Sequence, residues 1–208
     1  QDRIAMAGGD EALEGDEFAV LPGGGHIHQP QMSVAGGAAV GAPLPDLAID
    51  DRGEIILQGD DISYQAWRYP QQPGKVNIVQ YLAATKSAGD MNKPFRDRLD
   101  TDLPKGEFST TTILNMDDAI WGTGAFVMGE LKSNKREFPA AVIVVDENGV
   151  GLQQWQLQND SSALMVVDPQ GIVRYFKQGK MSATEIDSTL QLILAQIKQS
   201  STPSLPRS

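Results

Sequence analysis

Cysteine is absent from the 208 residues, and that absence excludes more chemistry than any other feature of the chain. No disulfide can form, no thiolate can attack, and no Cys-ligated zinc or iron–sulfur site can be built. Histidine is nearly absent as well: His26 and His28 are the only two. A Ser–His–Asp hydrolase would have to recruit its base from the N-terminal stretch. Long apolar runs are also missing. The nearest, Ser33 to Leu44, is rich in Gly and Ala and is broken by Pro43, far short of the roughly 20 apolar residues that cross a bilayer, so no membrane insertion is expected. Basic residues are too few and too scattered for a phosphate-binding stripe, which argues against nucleic acid and anionic lipid as partners. The opening shows no basic stretch followed by an apolar one, so a signal peptide is either removed or not included, and the N-terminus gives no location.

What is present reads as one domain with tails. The net charge of −10 is uneven, since residues 1–50 hold eight carboxylates against Arg3 alone. Residues 1–40, with Gly8-Gly9, Gly23-Gly24-Gly25 and Gly36-Gly37, show no sustained period and read as a flexible acidic leader. The domain is expected over 41–199, with a frayed tail at 200–208. Leu47 and Ile49, a turn at Asp50-Asp51-Arg52-Gly53, and Ile55-Ile56-Leu57 predict an N-terminal β-hairpin. Val76 to Leu82 is a β-branched apolar run of central-strand type.

From Ser87 to Asp100, Met91, Phe95 and Leu99 recur at helical spacing, with Ser87 as N-cap, Asp90 three residues on, and a bend at Pro94. Phe108–Leu114 predicts a second strand, 124–136 a helix of weak period, and Ala140–Val145 a third strand. Ala163–Val167 and Ile172–Phe176, joined through Asp168-Pro169-Gln170-Gly171, predict a second hairpin. Trp155-Gln156-Leu157-Gln158 alternates as a half-buried strand would. The last helix is the clearest: Ser182 and Glu185 form a capping box, and Ile186, Leu190, Ile193, Leu194 and Ile197 make one apolar face. Alternating strands and helices ending in a hairpin and a helix predict an α/β domain with a central mixed β-sheet and helices on both faces.

That order, with Gly74-Lys75-Val76, Pro94, Phe138-Pro139, Val145-Asp146-x-x-Gly149 and Val167-Asp168-x-x-Gly171, resembles the peroxiredoxin and periplasmic thioredoxin-like superfamily over about residues 41–199. More narrowly, Asp51-Arg52-Gly53-Glu54, Thr110-Thr111-Thr112-Ile113, Asn115-x-Asp117-Asp118-Ala119-Ile120, Ser133-Asn134-Lys135, Trp155-Gln156-Leu157-Gln158 and Ser161-Ser162-Ala163 resemble the YtfJ family of Gram-negative periplasmic proteins. The resemblance implies a thioredoxin-like fold, export to the periplasm and no assigned activity; no cofactor is expected. Aligned on the strand ending Tyr81-Leu82-Ala83-Ala84-Thr85, it puts Lys86 and Gly89 where the thiols of a Cys-x-x-Cys would stand. Ser162, or Ala163, falls where such folds carry a cis-proline.

In that fold the loops 85–90, 115–122 and 159–163 converge. Thr85, Lys86, Ser87, Asp117, Asp118, Asn159 and Ser162 are therefore the candidate ligand-binding residues, with Trp121 either at the cleft rim or in the core. A helix N-terminus beside Lys86 suits an anion; equally, Ser87 and Asp90 only cap the helix. Asp117 and Asp118 supply two carboxylates, too few for a metal site on their own, and a solvated loop is the simpler reading. His26 and His28 offer two imidazoles to copper or zinc with no third ligand in pattern. Three functions follow from these residues: a redox-inert binding protein for a protein or small-molecule partner, an enzyme using Lys86 with Asp117/Asp118, or a metal-binding leader.

Overall fold

The computed structural model describes residues 36–70, 74–117 and 124–201. Strands β1 (Leu47–Gln58), β2 (Asp61–Tyr69), β3 (Val76–Ala83), β4 (Phe108–Asn115), β5 (Val142–Asp146), β6 (Ser162–Val167) and β7 (Val173–Gln178) form one seven-stranded sheet in the order β2-β1-β5-β4-β3-β6-β7. β3, β4 and β5 are parallel, and the other pairings are antiparallel. The predicted central strand is central, and every residue of β3 is buried, as a parallel strand covered on both sides requires.

Alternate residues of the sheet feed two layers. Ile78, Leu82, Leu114, Ile143, Val145, Leu164 and Val166 face α2 (Lys93–Asp102), α3 (Gly124–Glu137) and α5 (Ala183–Ser201). This is the helical face. Val79, Tyr81, Ile113, Val144, Met165 and Val167 face the other layer, where α4 (Val150–Gln154) and Trp155 pack with Trp67 and Tyr69. The sheet is thus mixed, with helices on both faces, and its core lies in both layers. Residues 38–44 run beside β7: Ala38 N–H donates to the Trp155 carbonyl, Gly41 N–H to that of Val173, and Leu44 N–H to that of Gly171.

Several local expectations are corrected. The chain does not turn at Asp50–Gly53. β1 runs through it with a register shift between Ile49 and Glu54, and the hairpin turns instead at Gly59-Asp60. Gly53 has φ +74, and a Cβ there would lie 2.1 Å from the Gln65 carbonyl oxygen, so the glycine marks a bulge rather than a chain reversal. The single bent helix over 87–100 is two helices, α1 (Lys86–Met91) and α2, parted at Asn92, with Pro94 in the first turn of α2. Proline lacks an N–H that the first turn leaves unbonded anyway, so it starts a helix here instead of bending one.

Trp155–Gln158 is not a strand. Trp155 closes α4, its N–H on the Gly151 carbonyl, and Gln156 takes φ 53. The capping box of the last helix forms as read: Glu185 N–H donates to Ser182 Oγ at 3.1 Å and Ser182 N–H to Glu185 Oε2 at 2.7 Å. That helix continues through Ser201. Among the described residues no helix is long and apolar enough to cross a membrane.

Candidate functional site

The three predicted loops meet through backbone hydrogen bonds at the end of the sheet where the parallel strands finish. Ala83 N–H donates to the Ser161 carbonyl and Ala84 N–H to that of Asn115, each at 3.0 Å, while Met116 N–H reaches the Asp146 carbonyl at 2.8 Å. Strand geometry therefore holds residues 83–86, 115–117 and 159–162 side by side. Thr85, not Ser87, is the N-cap of α1, its Oγ1 accepting from Ala88 N–H at 3.2 Å. The β-branched residue at the strand's end already has the extended backbone that an N-cap needs; Ser87, the second residue of the helix, is exposed.

Lys86 projects into solvent, 88% exposed, and pairs with Asp90 one turn along α1. Donating a hydrogen bond to the Asp90 carboxylate raises the Lys86 pKa, and the same contact lowers that of Asp90. A lysine serving as nucleophile or general base needs the opposite shift. α1 has six residues, and Thr85 already occupies a first-turn N–H. Asp117 is exposed, with its N–H on Asn115 Oδ1 at 3.1 Å, and Asn159 is exposed.

Ser162 lies beneath this surface, 1% exposed. Its Oγ accepts from Asn92 Nδ2 at 3.2 Å. No proline stands at this strand entry, where Ser161, Ser162 and Ala163 follow one another. Asp118, Trp121, His26 and His28 lie outside the described residues. Among the described residues no group of three His, Asp or Glu side chains is placed to hold a metal ion.

Three buried polar residues escaped the sequence reading. Asn92 donates to Ser162 Oγ and to the Gly179 carbonyl, and its Oδ1 accepts from Met181 N–H at 2.9 Å. Asp146 accepts from Tyr81 Oη at 2.7 Å and from the N–H groups of Val150 and Gly151 at 2.9 and 2.7 Å. Asn115 is 1% exposed beneath Asp117. The Asp-x-x-Gly spacing was the available signal for Asp146: Gly149 has φ +65, which turns the chain so that the carboxylate meets the next two amides. Asp168 repeats the device, accepting from Gln170 and Ile172 N–H and from Arg174.

Residues 39–196 match the family described as a bacterial protein of unknown function (YtfJ_HI0045). The chain belongs to this family. It is 38% identical over 170 residues to the uncharacterized protein YtfJ of Escherichia coli K12, covering 81% of this chain and 92% of that one. It is 35% identical over 151 residues to an uncharacterized protein of Haemophilus influenzae, covering 72% and 82%.

Among solved structures it is similar to a thiol-disulfide isomerase from Corynebacterium glutamicum, at 15% identity and TM-score 0.50, over 73% of this chain and 96% of that one. A 2-Cys peroxiredoxin from Plasmodium vivax gives 16% identity and TM-score 0.50 over 78% and 99%. At such identities the likeness is one of fold, and the fold is thioredoxin-like. This member of the family carries that fold without a cysteine anywhere in its sequence.

Proposed function

We propose that this protein is a redox-inert, periplasmic thioredoxin-fold binding protein, and that it engages a protein partner through the loop surface where a Cys-x-x-Cys site would stand. One observation carries the reading: the three loops are locked together by backbone bonds, yet the side chains they present, Lys86, Ser87, Asp117 and Asn159, point into solvent. A rigid platform with solvent-facing polar groups is suited to recognition. Two apolar side chains flank it. Phe126, in the first turn of α3, is 70% exposed, and Val150, the first residue of α4, is 38% exposed. Exposed apolar side chains beside polar groups are the ordinary ingredients of a protein interface. The enzymatic reading has less support, because Lys86 is committed to Asp90 and its proton is held more tightly, not less.

A photo-crosslinking amino acid placed at Ser87 and at Phe126 in living cells should give a discrete adduct, while one at Gln191 on the exposed side of α5 should not. Lys86→Glu should weaken the adduct at Phe126. Equal labelling at all three positions, or none at the first two, sinks the proposal.

A further inference from the structure

A cavity of about 110 Å³ lies at the end of the sheet where β3 begins. Tyr69 and Pro70 line one side of it, Lys75 and Asn77 at the start of β3 another, and Asp168 and Pro169 in the turn between β6 and β7 a third. Pro70 and Lys75 are exposed and belong to its rim; Tyr69, Asn77 and Asp168 are buried and make its floor. Asn77 and Ala83 are six residues apart on β3, about 20 Å, so the cavity and the loop platform stand at opposite ends of the sheet with no residue in common. Each stands or falls without the other.

The polar groups of the floor divide into one that is satisfied and two that are not. The Asp168 carboxylate is taken: Oδ1 accepts from Gln170 and Ile172 N–H, each at 2.9 Å, and Oδ2 from Arg174 Nε at 2.6 Å. Asn77 Oδ1 accepts from Thr111 Oγ1 at 3.4 Å, which leaves its side-chain Nδ2 without a partner among the described residues. Tyr69 is 6% exposed, and its ring is held between Trp67 and Trp155 at centroid distances of 6.2 and 5.9 Å. Its hydroxyl bonds to none of the described residues, although a buried phenol ordinarily finds a partner. Burial and the neighbouring carboxylates of Asp168 and Asp46 push the Tyr69 pKa up to about 12, so the phenol keeps its proton and acts as a donor. At the rim, Lys75 Nζ donates to the Gly106 carbonyl at 2.8 Å.

The floor thus offers two donors and no uncommitted acceptor. A fitting ligand brings an acceptor without charge, because an anion would be repelled by the same Asp46 and Asp168 carboxylates that act on the phenol. The rings of Pro70, Pro169 and Tyr69 line the same space, so an apolar group belongs beside that acceptor. Size narrows the choice. Since about 150 Å³ holds benzene, this volume suits a group of about four or five non-hydrogen atoms. We propose that the cavity binds the acetamido group of an N-acetylated sugar or amine. The carbonyl oxygen accepts from Tyr69 Oη and Asn77 Nδ2, the methyl meets the proline rings, and the N–H leads out past the rim to the rest of the molecule.

Nitrogen-15 NMR of the full chain tests the assignment, read on the Asn77 side-chain amide signal, which is identified by its loss in Asn77→Asp. N-acetylglucosamine and N-acetylglycinamide are the probes, one for each source of the group. At least one should shift that signal saturably, and glucosamine, which lacks the acetyl group, should not. The N-butyryl counterpart of the probe that binds, two carbons too long for the cavity, should bind about tenfold more weakly. Tyr69→Phe should weaken binding about fivefold and leave the urea midpoint no lower, since the hydroxyl bonds nothing within the described fold. Should that variant fail to fold, the wild-type Asn77 signal decides alone. A response to only one acetylated probe supports the proposal and assigns the group to that source. No saturable shift with either, an equal response to glucosamine, or unchanged affinity in Tyr69→Phe overturns it.

Discussion

Asn92 reaches three elements at once, bonding Ser162 at the start of β6, Gly179 just past β7 and Met181 ahead of α5. With 2% exposure it can trade none of these bonds for water. Asn92→Ala should therefore cost about 3 kcal/mol in urea denaturation, because it deletes three bonds and orphans their partners. Asn92→Asp should cost nearly as much, since a carboxylate cannot donate to Ser162 or Gly179. Lys86 makes the contrast. Its contacts are in solvent, so Lys86→Ala should leave the denaturation midpoint unmoved. It should also let the Asp90 carboxyl titrate higher than in wild type, a change visible in a carboxyl carbon NMR titration. An unmoved Asp90 in that variant would mean that the pair does not form in solution.

Elements follow from local patterns where those patterns report burial, and fail where they report only residue type. β3 and α5 were legible because a continuous β-branched run and a 3.6-residue apolar stripe each have one structural meaning. The Asp50–Gly53 sequence has two, a turn or a bulge, and the choice falls to Gln65 on the neighbouring strand, which sequence position cannot reveal. Gly53→Ala should accordingly be costly, about 2 kcal/mol or more, from left-handed strain together with the clash on the Gln65 carbonyl; Gly59→Ala, with φ +62 and open space around it, should cost less.

The site was legible as a set of loops, since loops follow strands. The polar residues beneath it were not, because Asn92 and Asn115 are ordinary hydrophilic letters until the fold buries them. α5 offers a pH test. The salt bridge from Lys177 and the cap bonds to Ser182 lower the Glu185 pKa below its ordinary 4.5. Its contribution is complete above the unfolded value and fades as pH falls through the folded one. Wild type and Glu185→Gln should therefore differ most in melting temperature near neutrality and converge in acid.

At the scale of the molecule, the sheet has two outer strands, β2 and β7, and they meet solvent differently. Residues 41–44 bond to Gly171 and Val173, and Pro43 bridges Ile172, so the first part of β7 carries a lid of its own chain, one of whose residues, Pro43, has no amide hydrogen to offer. An outer strand without such a cover is a template on which a second copy can add its own strand. A shortened protein beginning at Pro45 should keep its helices by circular dichroism but sediment faster as concentration rises, whereas the full chain should not. On this view the small, glycine-rich approach to the domain is an anti-aggregation guard, keeping the molecule from polymerising edge to edge.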